Sequence, residues 1–467
     1  MIFMSDIDAV TGPYSFTGGF PDEQTIQRAY DDADLNRAVQ AYRFFFPTVS
    51  GAAMFRGNEQ VGVYLNKSFG VLDTQPRQVG FTLNSDTPYG PVGLDLRPGP
   101  LVVELPPGPL LGAAMDINQR WIADLGVPGP DAGNGGKHLL LPPGWDGDVP
   151  DGYFVARATS YRVIVGVRSL PVGGDMAGAN ERLQTIVVHP LDPDQDWTPP
   201  TWVDFTDLDQ DITPLTWETN LGYWRALHQV VDTEPHLEAF GPLYGELAVL
   251  GIAKGRPFEP DERQTRILEQ AAVLGSGQMR VQAFADRRPD RVVWDDSQWQ
   301  WAGLRPENGD FYTPDYLDVD AREKWFYQAI AASPAMFRRQ EGAGSLYWLG
   351  LRDSTGSYLD GSRAYRLLVP QPVPARLFWS ITVYDAETRS QIATDQNRAA
   401  LRSLFELADV DPDRPVELRF GPDRGDGFEG RWIQTIPGKG WFVYFRIYGP
   451  QGPAFNGDWA LPDFQQV

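Results

Sequence analysis

An amide, a carboxylate and a phenol (Asn84, Asp86 and Tyr89) crowd one short stretch of FTLNSDTPYGPVGLDLRPGPLVVELPP, between two runs that read as strands. A turn needs neither an aromatic ring nor so many polar groups, so the cluster is a candidate site. Asp95 follows on the next strand segment and Asp116 one strand later. Paired carboxylates serve as general acid and base, or as acid and nucleophile, in glycoside cleavage. Asp86 with Asp95 or Asp116 are therefore the acid/base candidates, and Asn84 and Tyr89 would orient the substrate. Tyr89 is itself the acid/base candidate for a lyase or isomerase. The competing structural reading is an Asx-type turn, in which Asn84 and Asp86 bond their own backbone and Tyr89 fills a core corner.

A second cluster lies near the C-terminus. If RLFWSITVYD is a regular strand, Trp379, Ile381 and Val383 share one face and Phe378, Ser380, Thr382 and Tyr384 the other. In FVYFRIYGP, Arg446 and Tyr448 fall on the same face as Tyr444. An arginine among aromatics requires a partner, either a structural carboxylate or an anionic or sugar ligand. Trp379, Tyr384, Arg446 and Tyr448 are the substrate-binding candidates of this region.

Much other chemistry is excluded. Cysteine is absent, which removes disulfides, zinc fingers, iron–sulfur clusters and thiol nucleophiles. His138, His189, His228 and His236 form no HExxH or i, i+4 pair, and His228 on its apolar helix stripe reads as a satisfied buried histidine. No cofactor is implied, although oxygen-ligated Ca²⁺ or Mg²⁺ needs no histidine. The carboxylates of WDGDVPDG lack EF-hand spacing, GNGGK precedes an apolar strand, and neither a P-loop nor a GxSxG motif occurs. A net charge of −22 argues against a nucleic-acid partner and disfavours an anionic membrane surface.

Elements must position these residues, and three patterns divide the chain. Residues 1–72 are mainly helical, with Ile26, Tyr30, Leu35, Val39, Tyr42 and Phe45 on one stripe that Pro47 and Gly51 are expected to stop. From 73 to 193, short segments such as VGFTLN, GPLVVELP, KHLLLPPGW and YRVIVGVRSL alternate or run apolar between Pro and Gly. Residues 194–343 are a helical bridge, where Trp217, Leu221, Trp224, His228 and Val231 recur at helical spacing, and 344–467 return to strands. The expected fold is mainly β with a helical bridge (α+β), containing two antiparallel jelly-roll or sandwich-like β domains. No apolar run reaches membrane-spanning length and no export signal is visible, so the expectation is a soluble cytoplasmic protein, with export left open if a leader was trimmed. The expected partner is a small molecule or carbohydrate, and a homo-oligomer suits a chain of this size.

These strands resemble a known pair of domains. NSDTPYGPVGLDLRPGPLVVELP, through PPGW to GVRSL, resembles the domain of unknown function numbered 1254. DSTGSYLDGSRAYRLLVPQPVPARLFWSITVYD, through RWIQTIPGKGWFVYFRIYGP to GDWALPD, resembles its regular companion, numbered 1214. The resemblance implies two antiparallel β domains joined by helices, in proteins commonly labelled hydrolases. The recurring positions stand here as Asn84, Asp86, Thr87, Tyr89, Asp95, Leu96, Gly99, Pro100, Asp116 and Arg168. In the second domain they are Tyr365, Phe378, Trp379, Ser380, Tyr384, Asp385, Trp432, Arg446, Tyr448 and Pro450. Arg168 joins the substrate-binding candidates on this ground alone. Three features depart from the family: Arg431, the loop VPGPDAG, and His138 in the strand after it. If that loop shapes the pocket, substrate choice differs from that of relatives. The expected function is a hydrolase acting on a glycoside or related polyhydroxylated substrate. Its rivals are a non-catalytic carbohydrate or small-molecule binding protein and a Ca-dependent lyase or isomerase using Tyr89.

Overall fold

Helix and strand each take 27% of the chain in the computed structural model, so the class is α+β rather than mainly β. The structure describes residues 12–212, 215, 218–305, 310–342, 344–425, 427–428 and 430–467. Trp217, placed on a helical stripe by its spacing, lies outside them. Two compact units divide the chain: Met1–Phe44 with Thr216–Gln278, and Phe45–Leu215 with Met279–Val467.

The first unit is helical. Asn220 caps the helix Leu221–Thr233 by accepting from the Gly222 amide at 2.8 Å. Its buried residues Tyr223 and Trp224 pack with Tyr42, whose ring lies 4.1 Å from that of Tyr223. All three polar tips are satisfied by backbone: Tyr42 donates to the Glu218 carbonyl, Tyr223 to that of Tyr42 and Trp224 to that of Leu268. His228 bonds the Arg256 carbonyl at 2.8 Å and stacks on Phe258. Gly275 makes room for Tyr42, because a β-carbon there would lie 2.4 Å from the ring.

The long helix Glu23–Gln60 passes through Pro47 instead of stopping there. A mid-helix proline costs about 3 kcal/mol. Burial of Phe45, Phe46, Val49, Ala52 and Ala53 around it offsets that cost. Gly51 is no stop signal either. A β-carbon there would sit 2.6 Å from the Ile117 carbonyl, so the glycine permits close approach.

The second unit holds the sheets. Two four-stranded sheets share one core: Leu101, Val103 and Leu105 of one meet Val163, Val165 and Val167 of the other. The strand Phe154–Arg157 pairs in parallel with Gly136–Leu141, as Trp432–Gln434 does with Val416–Gly421, so the sheets are not purely antiparallel. The C-terminal half pairs a five-stranded sheet, Gln300–Trp301, Ser345–Gly350, Trp441–Pro450, Ala375–Asp385 and Ala400–Arg402, with a four-stranded one. Strand alternation sends Trp348, Trp379, Ile381, Val383, Phe445 and Ile447 into their shared core. The opposite face of the five-stranded sheet carries Tyr347, Tyr384 and Tyr444, against which the helix Val319–Gln328 packs Trp325. Among the described residues no helix is long and apolar enough to cross a membrane.

Gly275→Ala should destabilise the helical unit by about 1–3 kcal/mol, since Tyr42 is enclosed and cannot yield. Urea unfolding followed by circular dichroism would show a lowered midpoint with unchanged slope.

Candidate functional site

A cavity of about 210 Å³ opens in the second unit. One wall is the outer face of the sheet that contains Arg162–Ser169. With Val163, Val165 and Val167 committed to the core, Ile164, Gly166 and Arg168 must point the other way. The register sets Arg168 between Tyr89 and Leu111, Gly166 between Pro91 and Ala113, and Ile164 between Gly93 and Met115. The facing wall comes from the five-stranded sheet, where Tyr347 is paired with Arg446 and Ser345 with Tyr448. Trp325 and residues 329–331 close a further side, and Pro128 from the loop VPGPDAG also lines the space.

The segment 80–87 joins these walls and is not the strand that VGFTLN suggested. Only Gln78–Val79 is strand. Thr82 has a left-handed φ of 45°, and its backbone bonds go to side chains and loops rather than to a ladder. The Thr82 carbonyl accepts from Arg446 Nη2 at 2.9 Å, and its amide donates to the Arg389 carbonyl at 2.8 Å. Tyr384 donates to the Leu83 carbonyl at 2.8 Å, and Arg402 donates to that of Ser85 at 2.5 Å. The Thr74 hydroxyl donates to the Asn84 carbonyl. Asp86, with no solvent exposure, accepts on Oδ2 from Ser380 at 2.8 Å and from Tyr448 at 2.9 Å.

Asn84 makes the Asx turn and more. The Asp86 amide donates to its Oδ1 at 3.0 Å, which fixes its Nδ2 as the donor to Tyr89 OH at 2.7 Å. The Tyr89 oxygen is therefore an acceptor within the protein, and its own proton is left for the cavity. Burial pushes the Tyr89 phenol above its ordinary value, so that proton stays in place. Tyr347 OH likewise accepts from the Ser345 hydroxyl at 2.6 Å.

The charges are distributed unevenly. Arg446 bonds Thr382 Oγ1 at 3.0 Å in addition to the Thr82 carbonyl, and lies over the ring of Tyr444 at 5.1 Å. Among the described residues, no hydrogen bond or ion pair holds the Arg168 guanidinium, which has only the rings of Tyr89 and Tyr448, each 5.9 Å away. Tyr448 is held neutral, its phenol pushed well up by burial and by the neighbouring Asp86 carboxylate. Two guanidinium charges thus face one carboxylate, and the excess positive charge stands at the cavity wall.

Of the residues singled out by sequence, Asn84, Tyr89, Arg168 and Arg446 line the cavity, and Asp86, Tyr384 and Tyr448 hold it together from behind. Asp95 and Asp116 are not brought to it. Asp95 pairs with Arg97 and caps its own turn through the Arg97 amide. Asp116 is buried, accepts from the Arg120 amide at 2.8 Å and Thr159 at 2.6 Å, and has its carboxyl pushed up by burial. Trp379 points into the opposite core and stacks on Phe445 at 5.3 Å. No Asp or Glu is among the described lining residues, nor does any group of three or more His, Cys, Asp or Glu stand ready to hold a metal. Sequence reasoning missed Tyr347, Ser345 and Gly166. The same period-two alternation in SLYWLG and RVIVGVRS carries the signal for all three.

Residues 67–190 match the family described as a protein of unknown function, domain 1254, and residues 344–452 the one described likewise as domain 1214. No curated protein matches the sequence. A crystal structure of a protein from Vibrio parahaemolyticus is similar at a TM-score of 0.57 and 18% identity, covering 93% of this chain and 100% of that one. An uncharacterized protein from Burkholderia cenocepacia aligns over 94% of this chain and 96% of its own at 11% identity, with a TM-score of 0.40.

Asp86→Asn should destabilise the second unit by roughly 3 kcal/mol, because two charge-assisted bonds weaken together. Urea midpoints at neutral pH would measure it. Asp124 lies near Ser333 and Ala335, both on the cavity lining, and burial pushes its carboxyl up to about 6. Because the folded value lies above the unfolded one, the favourable contribution is complete below about pH 4 and is lost as pH rises to about 6. Wild type should therefore lose stability relative to Asp124→Asn across that window in unfolding titrations.

Proposed function

The chain belongs to the two-domain family in which domain 1254 precedes domain 1214, and we propose that in this member the cavity binds a small monoanion with an apolar body, a carboxylate above all. The unpaired Arg168 carries this reading. A half-buried guanidinium at a cavity wall without a counter-ion is under-compensated. A carboxylate would accept two parallel N–H bonds from it, and the free protons of Tyr89 and Tyr347 are the further donors. One negative charge completes the balance of Arg168, Arg446 and Asp86. A dianion would overshoot it in a low-dielectric site. The rest of the lining, including Met54, Phe55, Phe81, Leu111, Met115 and Ile164, suits an apolar body better than a polyhydroxylated one.

Catalysis at the same place is a second reading, favoured by one observation. Tyr89 combines a retained proton, an amide behind its oxygen and a cation beside its ring. That combination suits an acid that polarises a ligand oxygen, as a lyase or isomerase requires. Glycoside hydrolysis needs two carboxylates flanking the bond, and the described lining supplies neither, so the glycosidase reading has the weaker support.

Calorimetric titration with octanoate and with 1-octanol, the matched neutral ligand, tests the proposal. The acid should bind at least tenfold more tightly, and Arg168→Gln should abolish that preference. Equal affinity for the two ligands, or a preference that survives Arg168→Gln, overturns it.

A further inference from the structure

The strand face that carries Arg168 also carries a gap. Three cross-strand rows run along the cavity wall: Arg168 between Tyr89 and Leu111, Gly166 between Pro91 and Ala113, and Ile164 between Gly93 and Met115. The side chains of Gly166 and Ala113 contribute a single methyl to the middle row. Glycine weakens a strand interior and often marks close approach by something else. For two neighbouring glycines, that something is protein. A β-carbon on Gly93 would lie 2.7 Å from Leu65 Cδ2, and one on Gly112 would lie 3.1 Å from Leu125 Cβ. Gly166 is different. A β-carbon there would meet no heavy atom of the described residues within 4 Å, and its φ lies outside the left-handed range. Neither its backbone nor any described neighbour requires glycine at this position.

We infer that Gly166 is a specificity-determining position, kept bare so that the body of an extended monocarboxylate can lie over it. The inference rests on the reading of Arg168 as the partner of the anion. The head sits at the Arg168 row, the body crosses Gly166 and Ala113, and the far end reaches Ile164 and Met115. From Arg168 to Ile164 the strand advances roughly 13 Å, which sets the length accommodated. A β-carbon at 166 would project into the path of the ligand without touching the described residues.

Butyrate, hexanoate, octanoate and decanoate, titrated calorimetrically into wild type, Gly166→Leu and Arg168→Gln, test this. Wild type should gain about fourfold in affinity per buried methylene. In Gly166→Leu the gain should stop after butyrate, with octanoate at least tenfold weaker than in wild type. Ala113→Leu, in the same row of the next strand, should act the same way and provides the readout if Gly166→Leu fails to fold. An unchanged gain per methylene in a folded variant overturns the inference while leaving the carboxylate site standing, provided Arg168→Gln weakens every acid. Failure of all four acids to bind wild type overturns both.

Discussion

The buried carboxylate of Asp86 is the constraint around which the site is built. It has no contact with solvent, and its acceptor bonds come from Ser380 and Tyr448 on two adjacent strands of the other β half. A charge placed so deep is tolerable only if its surroundings return what water provided. Two hydroxyl donors to Oδ2 and the nearby Arg446 charge do so in part, while Oδ1 has no hydrogen-bond partner among the described residues. Because they come from strands Ala375–Asp385 and Trp441–Pro450, the turn carrying Asp86 has one place to sit. Once it sits there, the carbonyls of Thr82, Leu83 and Ser85 meet Arg446, Tyr384 and Arg402, and Tyr89 is delivered to the cavity wall.

The cavity follows from the sheets having two jobs. Each strand gives alternate residues to a core and the remainder to a second surface. In Arg162–Ser169 the valines fill the first and Ile164, Gly166 and Arg168 define the second. In Ser345–Gly350, Leu346 and Trp348 go to one core while Tyr347 and Leu349 go to the other side. A polar end and an apolar end arise because residues two apart along a strand share a face.

How much of this the sequence reveals depends on range. Alternation is local, so the facing of Ser380, Thr382 and Tyr384, and of Tyr444, Arg446 and Tyr448, is legible from two short strands. The density of NSDTPY also marks a place of consequence, and both readings of it hold in part, since Asn84 makes a turn and orients Tyr89 with the same side chain. What stays hidden is long-range. Nothing near VGFTLN says that its backbone bonds will go to Arg446 and Tyr384, hundreds of positions away, instead of to a neighbouring strand. Asp95 looks like a partner of Asp86 because strand alternation sets it opposite Leu94 and Leu96, and Asp116 because it follows one strand later. Local turn bonds from the amides of Arg97 and Arg120, and a bond from Thr159 that reaches Asp116 across 43 positions, claim them instead. Pro47 and Gly51 mislead for a related reason, because tertiary burial overrides a local stop signal.

The arginines of this unit show why one of them is left over. Arg402 is bound to Glu406. Arg389, fully buried between Phe81 and Tyr327, is capped by the carbonyls of Tyr327 and Glu387. Arg446 has a hydroxyl and a carbonyl. Each of these cations is anchored by hydrogen bonds or an ion pair within the protein, although the Arg446 Nε has no partner among the described residues. Around Arg168 the neighbours are phenols, which attract a cation through their faces but do not neutralise it. An aspartate in place of Tyr89 would close the charge balance and turn Arg168 into another structural arginine. Tyrosine keeps the guanidinium positioned and incompletely satisfied, so a bound anion would add to the stability of the fold as well as occupy the site.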